Sequence, residues 1–196
     1  MATFDLGVYF EGSRAQFGVD YFHSTFDNLI VNLPGPTRAV YFNFGQLTFN
    51  GAEIEGKYYL RKNFFMQGSM LYQVNVDGNG VQNVSPVPNI GFKAGLSYEG
   101  KKLTASLFDV SDGPFTGYTA VNPLQGWHHI INGNFRYDLS RYFPFGDRTG
   151  IAAVVHVNNL TNQAIWLPSG FSSVDTVPVE QGRVVFAGLE FSAGKH

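Results

Sequence analysis

Apolar residues recur at every second position in about nine segments of this chain, with small or polar residues between them. Successive side chains of a strand point to opposite faces, so each segment predicts a strand with one apolar and one polar face. The apolar sets include Phe4, Leu6, Val8 and Phe10; Ala15, Phe17, Val19 and Tyr21; Ala52, Ile54, Gly56, Tyr58 and Leu60; and Phe64, Met66, Gly68, Met70 and Tyr72. The pattern continues in Phe92 to Tyr98, Leu103 to Leu107, Ile131 to Tyr137, Ile151 to Val157 and Val185 to Phe191. Asp5, Glu11, Asp20, Glu53, Glu55, Lys57, Lys93, Arg136 and Glu190 all fall on the opposite face. A strand with one face for lipid and one for water is the signature of a transmembrane β-barrel.

Residues from about Arg38 to Leu60 read as one long strand whose phase slips once. Val40, Phe42 and Phe44 are even-numbered, Leu47 and Phe49 odd, which predicts a bulge near Gly45 or Gly51. Connections mostly alternate in length. Gly12-Ser13, Arg61-Lys62-Asn63 and Glu99 to Lys102 are short, whereas about 75–88, 111–126 and 161–179 are long and carry Gly, Pro and Asn. Phe10, Tyr58, Phe64, Tyr98, Tyr137 and Phe191 gather on the apolar face beside the short turns, where an interfacial aromatic girdle belongs. The plainer alternative is a soluble β-sandwich burying its apolar face. Long aromatics near strand ends, the strand lengths and a polar face poor in Lys and Arg weigh against it.

Composition changes the picture little but closes several routes. The chain has 196 residues, 16% of them aromatic and only 14% charged, below the roughly 25% usual for globular domains. Mean hydropathy is −0.07, because the polar face cancels the apolar one. The net charge of −2 offers nothing to nucleic acid. There is no cysteine, hence no disulfide, thiolate metal site or cysteine nucleophile. No apolar run approaches the roughly 20 residues of a membrane helix. The first residues carry no basic region or apolar stretch of a signal peptide.

Specific residues then resemble a family. Asn43-Phe44-Gly45-Gln46, followed by Asn50-Gly51-Ala52-Glu53-Ile54-Glu55-Gly56, resembles a stretch of TonB-dependent outer-membrane receptors in which Asn-x-Gly precedes Gly-x-Glu-x-Glu along one barrel strand. Pro88-Asn89 is similar to the start of a later strand in that family. Val157-Asn158-Asn159-Leu160-Thr161-Asn162 resembles an element near its C-terminus, and Gly182-Arg183-Val184 leading to Phe191 resembles its final strand. The five residues after Phe191 depart from the family, whose last strand usually ends the chain on an aromatic.

The resemblance implies an all-β fold: an antiparallel up-and-down transmembrane β-barrel, of which this chain supplies about nine strands out of about 22. It implies that residues 1–196 are the C-terminal part of a receptor barrel without its plug domain and TonB box. The implied function is transport, as barrel wall and outer loops of a receptor taking up a scarce ligand such as a siderophore or sugar. The implied location is the Gram-negative outer membrane. The implied partners are outer-membrane lipid, the absent plug and strands, and the TonB system through the full receptor. Cofactors, metals and catalysis are not expected. The rivals are a small outer-membrane barrel hydrolase and a soluble β-barrel binding an apolar ligand.

Candidate sites follow from position. Phe115, Tyr118, Trp127, Trp166 and Phe171 lie in or beside long connections, where aromatics could stack on a ligand or simply pack the loops. Glu53, Glu55, Lys57, Lys93 and Arg136 face the lumen, and the resemblance makes them contacts of a plug. Glu53 and Glu55 form a carboxylate pair of the kind that can do acid–base work. His156 also faces the lumen, and a Ser or Asp within its reach would favour the hydrolase. His128 and His129, being adjacent on a strand, fall on opposite faces and cannot readily chelate one metal.

Overall fold

The computed structural model describes residues 1–34, 39–43, 45–85, 87–115, 126–143, 149–168, 176–178 and 182–193. Its strands are β1 Ala2–Glu11, β2 Ala15–Asp27, β3 Ile30–Pro34, β4 Ala39–Asn43, β5 Gln46–Arg61, β6 Phe64–Asp77, β7 Ile90–Glu99, β8 Leu103–Asp112, β9 His128–Asp138, β10 Thr149–Asn158, β11 Trp166–Pro168, β12 Thr176–Pro178 and β13 Val184–Ala193. Nine of them form one antiparallel sheet in the order β1-β2-β5-β6-β7-β8-β9-β10-β13. Each of the nine pairs with its nearest sheet strand in sequence, which is up-and-down topology. Two hairpins, β3–β4 and β11–β12, rise from long connections.

The period-two pattern explains why these segments pair. On β1 and β2 the cross-strand partners Val8↔Val19, Leu6↔Tyr21 and Phe10↔Phe17 put apolar against apolar. A slip of one residue would set every pair on the wrong face. The apolar face stays uncovered: Leu189 is 59% and Phe191 67% exposed. The buried apolar residues are few, such as Leu47, Phe65, Ile151 and Ala152. A water-soluble protein of this size would bury most of its large apolar side chains, so this face calls for a cover other than water.

The sheet is sheared. The hydrogen-bonded row Phe10–Phe17–Gly56–Gly68–Ala94–Asp109–Ile131 begins one residue from the short-turn end of β1. It reaches β8 six residues from the short-turn end of that strand. The stagger is roughly one residue per strand, a tilt of about 35° at a 3.3 Å rise and 4.8 Å strand spacing. Barrel strands tilt by about 35–45°. The edges of the sheet are β1 and β13.

The phase slip resolves into two features. Gly45, at φ +80°, separates β4 from β5, and Gly51 sits in regular register between Phe22 and Gln73. The bulge lies elsewhere, between Tyr59 and Arg61 where β5 meets β6. The expected single long strand from about 38 to 60 is therefore two. Its first part is one arm of the β3–β4 hairpin, a feature the alternation alone did not separate. The neck of that hairpin is the Asn-x-Gly element. Asn43 Oδ1 accepts from Gly45 N at 2.8 Å, Asn43 Nδ2 donates to Asn28 Oδ1 at 3.2 Å, and Leu29 N donates to Gly45 O at 3.1 Å. Asn28 also has a positive φ, of 56°. Both chain crossings of the neck thus use the left-handed region, which Gly and Asn reach most readily.

Candidate functional site

The polar face forms a shallow cavity of about 670 Å³, lined among others by Tyr9, Glu11, Gln16, Glu55, Lys57 and Lys93. Residues from six strands border one concavity, so the sheet curls toward its polar face. Register places the expected lumen residues together. Glu55, Ser69 and Lys93 occupy one row, and Lys57 faces Gln67 in the next. Glu53 lies in the row on the other side of Glu55, opposite Asp20 and Leu71. Lys57 Nζ stands 3.9 Å above the Phe65 ring and 4.9 Å above that of Tyr59. Tyr9 donates from its hydroxyl to Asp20 Oδ2 at 3.1 Å.

Arg136 lies apart from that cavity. Its Nε and Nη2 donate to Glu190 at 3.1 and 3.4 Å. The pair reaches over Val154 and ties β9 to the last strand across β10. Of the five expected lumen residues, then, four sit on β5 and β7 and the fifth fastens the sheet edge.

His156 donates from Nδ1 to Asn134 Oδ1 at 2.7 Å, and Asn134 Nδ2 donates to Ser106 Oγ at 3.2 Å. Its hydrogen-bond partner is an amide, not the Ser or Asp that a base-and-nucleophile pair requires.

The loop aromatics divide between the two sides of the wall. Phe115 stacks edge-on against His128 with ring centroids 6.1 Å apart, and the register of His128 opposite Asp112 puts it on the lumen face. Trp127 lies over His129, 6.2 Å between ring centroids and 25° between planes. His129 pairs with Ser111, which pairs with Phe92, so this row is on the outward face. Trp166 belongs to β11 and faces Pro178. Tyr118 and Phe171 lie outside the described residues. Among the described aromatics, Phe115 and Trp127 thus stack on different partners on opposite faces.

The structure adds one constellation that the sequence reading missed. His129 Nδ1 lies 2.8 Å from Ser111 Oγ and 3.2 Å from Asp109 Oδ2. These three residues share the outward face, so the charges are not all sorted to the lumen as the alternation suggested. Extending the β8 alternation past Leu107 to positions 109 and 111 would have revealed it. The arrangement is not a hydrolytic triad. Serine and carboxylate both meet the same imidazole nitrogen, whereas a triad uses the two nitrogens separately. Ser111 is also 1% exposed.

At the long-connection rim the Asn159 element is a clamp. Asn159 has φ +50° and is buried. Its side chain donates to Gln163 O at 2.7 Å and accepts from Gln163 N at 2.9 Å, while its own N donates to Asn132 Oδ1 at 3.0 Å. Gln163 Oε1 accepts from His129 N, and Asn162 Oδ1 accepts from Arg183 N at 2.8 Å. The motif that resembled a family element therefore joins β9, β10 and the start of β13.

Comparisons agree with this geometry. The family model described as "TonB dependent receptor-like, beta-barrel" matches residues 2–160. No curated protein sequence matches the chain significantly. Among solved structures, the copper transporter OprC is similar at a TM-score of 0.70 and 16% identity, covering 98% of this chain and 31% of its own. The ferric yersiniabactin uptake receptor FyuA from Yersinia pestis gives a TM-score of 0.65 at 18% identity, with 97% and 29% covered. The ferripyoverdine receptor of the outer membrane of Pseudomonas aeruginosa gives 0.64 at 17%, with 96% and 27% covered. This chain thus spans about a third or less of the length of these neighbours. Two-faced, sheared and up-and-down, and matched by the family model over most of its length, the chain belongs to the TonB-dependent receptor-like β-barrel family.

Proposed function

We propose that this chain is part of the wall, with outer loops, of an outer-membrane transport receptor, and that it performs no covalent chemistry. The observation that carries the reading is the sheet itself: an exposed apolar face opposite a curled polar one, at barrel shear. The apolar face meets lipid of the Gram-negative outer membrane. The polar face, with Glu53, Glu55, Lys57 and Lys93, meets a plug supplied outside residues 1–196. Energy comes from the TonB system acting on the full receptor. A scarce ligand enters from the long-loop rim, where Phe115 and Trp166 are candidate stacking partners, together with Tyr118 and Phe171. Trp127 is less suited to that role, since it stands over the outward face.

Residues 1–196 contain no cysteine, so in a receptor freed of any other cysteine a single introduced one carries the label alone. Spin labels replacing Leu189 or Val8 in the membrane-inserted full receptor should collide with oxygen and be shielded from a water-soluble nickel complex. A label replacing Gln16 should show the reverse. Equal access of the nickel complex to both sets would overturn the membrane reading.

A further inference from the structure

From Lys102 and Arg141 we infer a binding site at the short-turn rim for an anionic phospholipid, held by its phosphate and seated against the apolar face. The inference rests on the membrane reading above. Charge is spread unevenly over the height of the sheet. Arg14, Arg61, Lys62, Lys101, Lys102 and Arg141 all stand exposed at the short-turn rim, against Glu11, Glu99 and Asp138. Among the described residues the ion pairs are His129–Asp109 and Arg136–Glu190, so none of these cations has an ionic partner there. The described strand ends at the other rim carry the opposite sign, with Asp27, Asp77 and Asp112 against Arg183. Backbone bonds join the short turns into one band. Tyr59 N donates to Arg14 O, Glu99 N to Asn63 O and Asp138 N to Lys102 O, each at 2.8 Å.

The band is best ordered at the end of β9. Tyr137 lies on the outward face, opposite Leu103 on one side and Ala153 on the other, and closes the apolar belt there. Arg141 stands just beyond it. Its Nη2 donates to the Tyr137 hydroxyl at 3.3 Å and to that of Tyr142, and its guanidinium lies 4.4 Å from the centre of the Tyr142 ring. These contacts hold the guanidinium at the level of the aromatic girdle. Its Nε and Nη1 have no partner among the described residues, so their N–H groups stay open to a ligand. Lys102 approaches from the neighbouring turn, tied to β9 by the bond from Asp138. The Tyr142 phenol is held below its ordinary value first by the bond from Arg141 and, more weakly, by the charge of Lys102, so both cations act on one ring. A guanidinium fork matches phosphate oxygens, and an ammonium beside it adds attraction for net negative charge. A free phosphate or an acidic protein segment would answer the cations alone. A phospholipid also lays acyl chains on the apolar face that begins at Tyr137, Leu103 and Ala153, so lipid is the occupant that fits both.

The test places the full receptor in lipid discs made from equal parts of phosphatidylglycerol and phosphatidylcholine and counts retained lipids by native mass spectrometry. Both lipids carry a phosphate, but the choline cation of the second cancels its charge and is repelled by Lys102. Phosphatidylglycerol should be retained roughly fivefold over phosphatidylcholine, about the worth of one basic residue at an anionic head group. The double substitution Lys102→Gln, Arg141→Gln should bring the two lipids to parity, with heat-modifiable gel mobility intact as proof of a folded barrel. Arg183→Gln, which removes a charge at the other rim, should leave the preference unchanged. Equal retention by the unsubstituted receptor, a preference that survives the double substitution, or an equal loss in Arg183→Gln would overturn the site. Displacement of the retained lipid by inorganic phosphate, at an ionic strength matched with chloride, would make it a free-anion site instead. A photo-crosslinker at Tyr142 should capture lipid, and capture of a protein in its place would overturn the choice of occupant. Spin labels that find the apolar face open to water would fail the membrane reading itself, a result distinct from a missing head-group preference.

Discussion

At the scale of single residues, faces and clamps decide what the chain tolerates. Leu189→Arg puts a guanidinium on the lipid side and should cost about 2–4 kcal/mol if it lies near the bilayer midplane. Gln16→Arg, exposed on the polar face, should cost much less. Chemical denaturation of the full receptor in vesicles measures both, and equal losses would argue against the assignment of faces. Ser97, although on the polar face, is only 6% exposed and would confuse steric with solvation effects. Asn159 gives a second residue-scale prediction. Asn159→Ala removes both side-chain bonds to Gln163 and keeps an unfavourable positive φ, so it should destabilise by about 1–3 kcal/mol. Asn159→Gly loses the same bonds but relieves the backbone, and should be milder. Faster amide exchange at Gln163 in both variants, in that order, is the expected readout.

Between strands, close approach matters more than composition. A Cβ added at Gly68 would lie 2.6 Å from the Lys93 carbonyl oxygen, so β6 and β7 must separate to admit it. Gly68→Ala should therefore destabilise by about 1–3 kcal/mol. At Gly56 the nearest atom would be 3.4 Å away, and Gly56→Ala should be nearly neutral. Paired unfolding curves test the contrast, and similar losses at the two sites would contradict the packing described here. The Arg136–Glu190 bridge joins β9 to β13, but both side chains are nearly half exposed. A double-mutant cycle should assign it no more than about 1 kcal/mol.

At the scale of the whole molecule, the two edges dominate. Shear links barrel diameter to strand number, so a sheet shaped for a wide barrel does not close on itself. The free edges β1 and β13 expose rows of unpaired N–H and C=O groups, costly in lipid and adhesive in water. Residues 1–196 expressed alone should oligomerise edge to edge, aggregate or be degraded. Hydrogen exchange should be fastest along the outer edges of β1 and β13. A monodisperse, heat-resistant monomer with protected edge amides would show instead a small closed barrel.

Much of this architecture was legible in the chain before any coordinates, and the reason is local. Which face a side chain takes depends only on its own strand, so alternation assigned Phe4 to Phe10, Val185 to Phe191 and Glu53 to Lys57 correctly. Short turns at Gly12-Ser13 and Glu99 to Lys102 were readable for the same reason, as was the opposition of His128 and His129. Who stands beside whom is not local. The break at Gly45, the bulge between Tyr59 and Arg61 and the one-residue stagger are properties of strand pairs. So are the partner of His156 and the division of Phe115 from Trp127. Asp109, Ser111 and His129 come from two strands separated by a long connection, and only register brings them within hydrogen-bonding distance. The sequence by itself determined two faces, their turns and their order. The tertiary structure alone decided the neighbours across the strands, because pairing joins residues that no period along the chain relates.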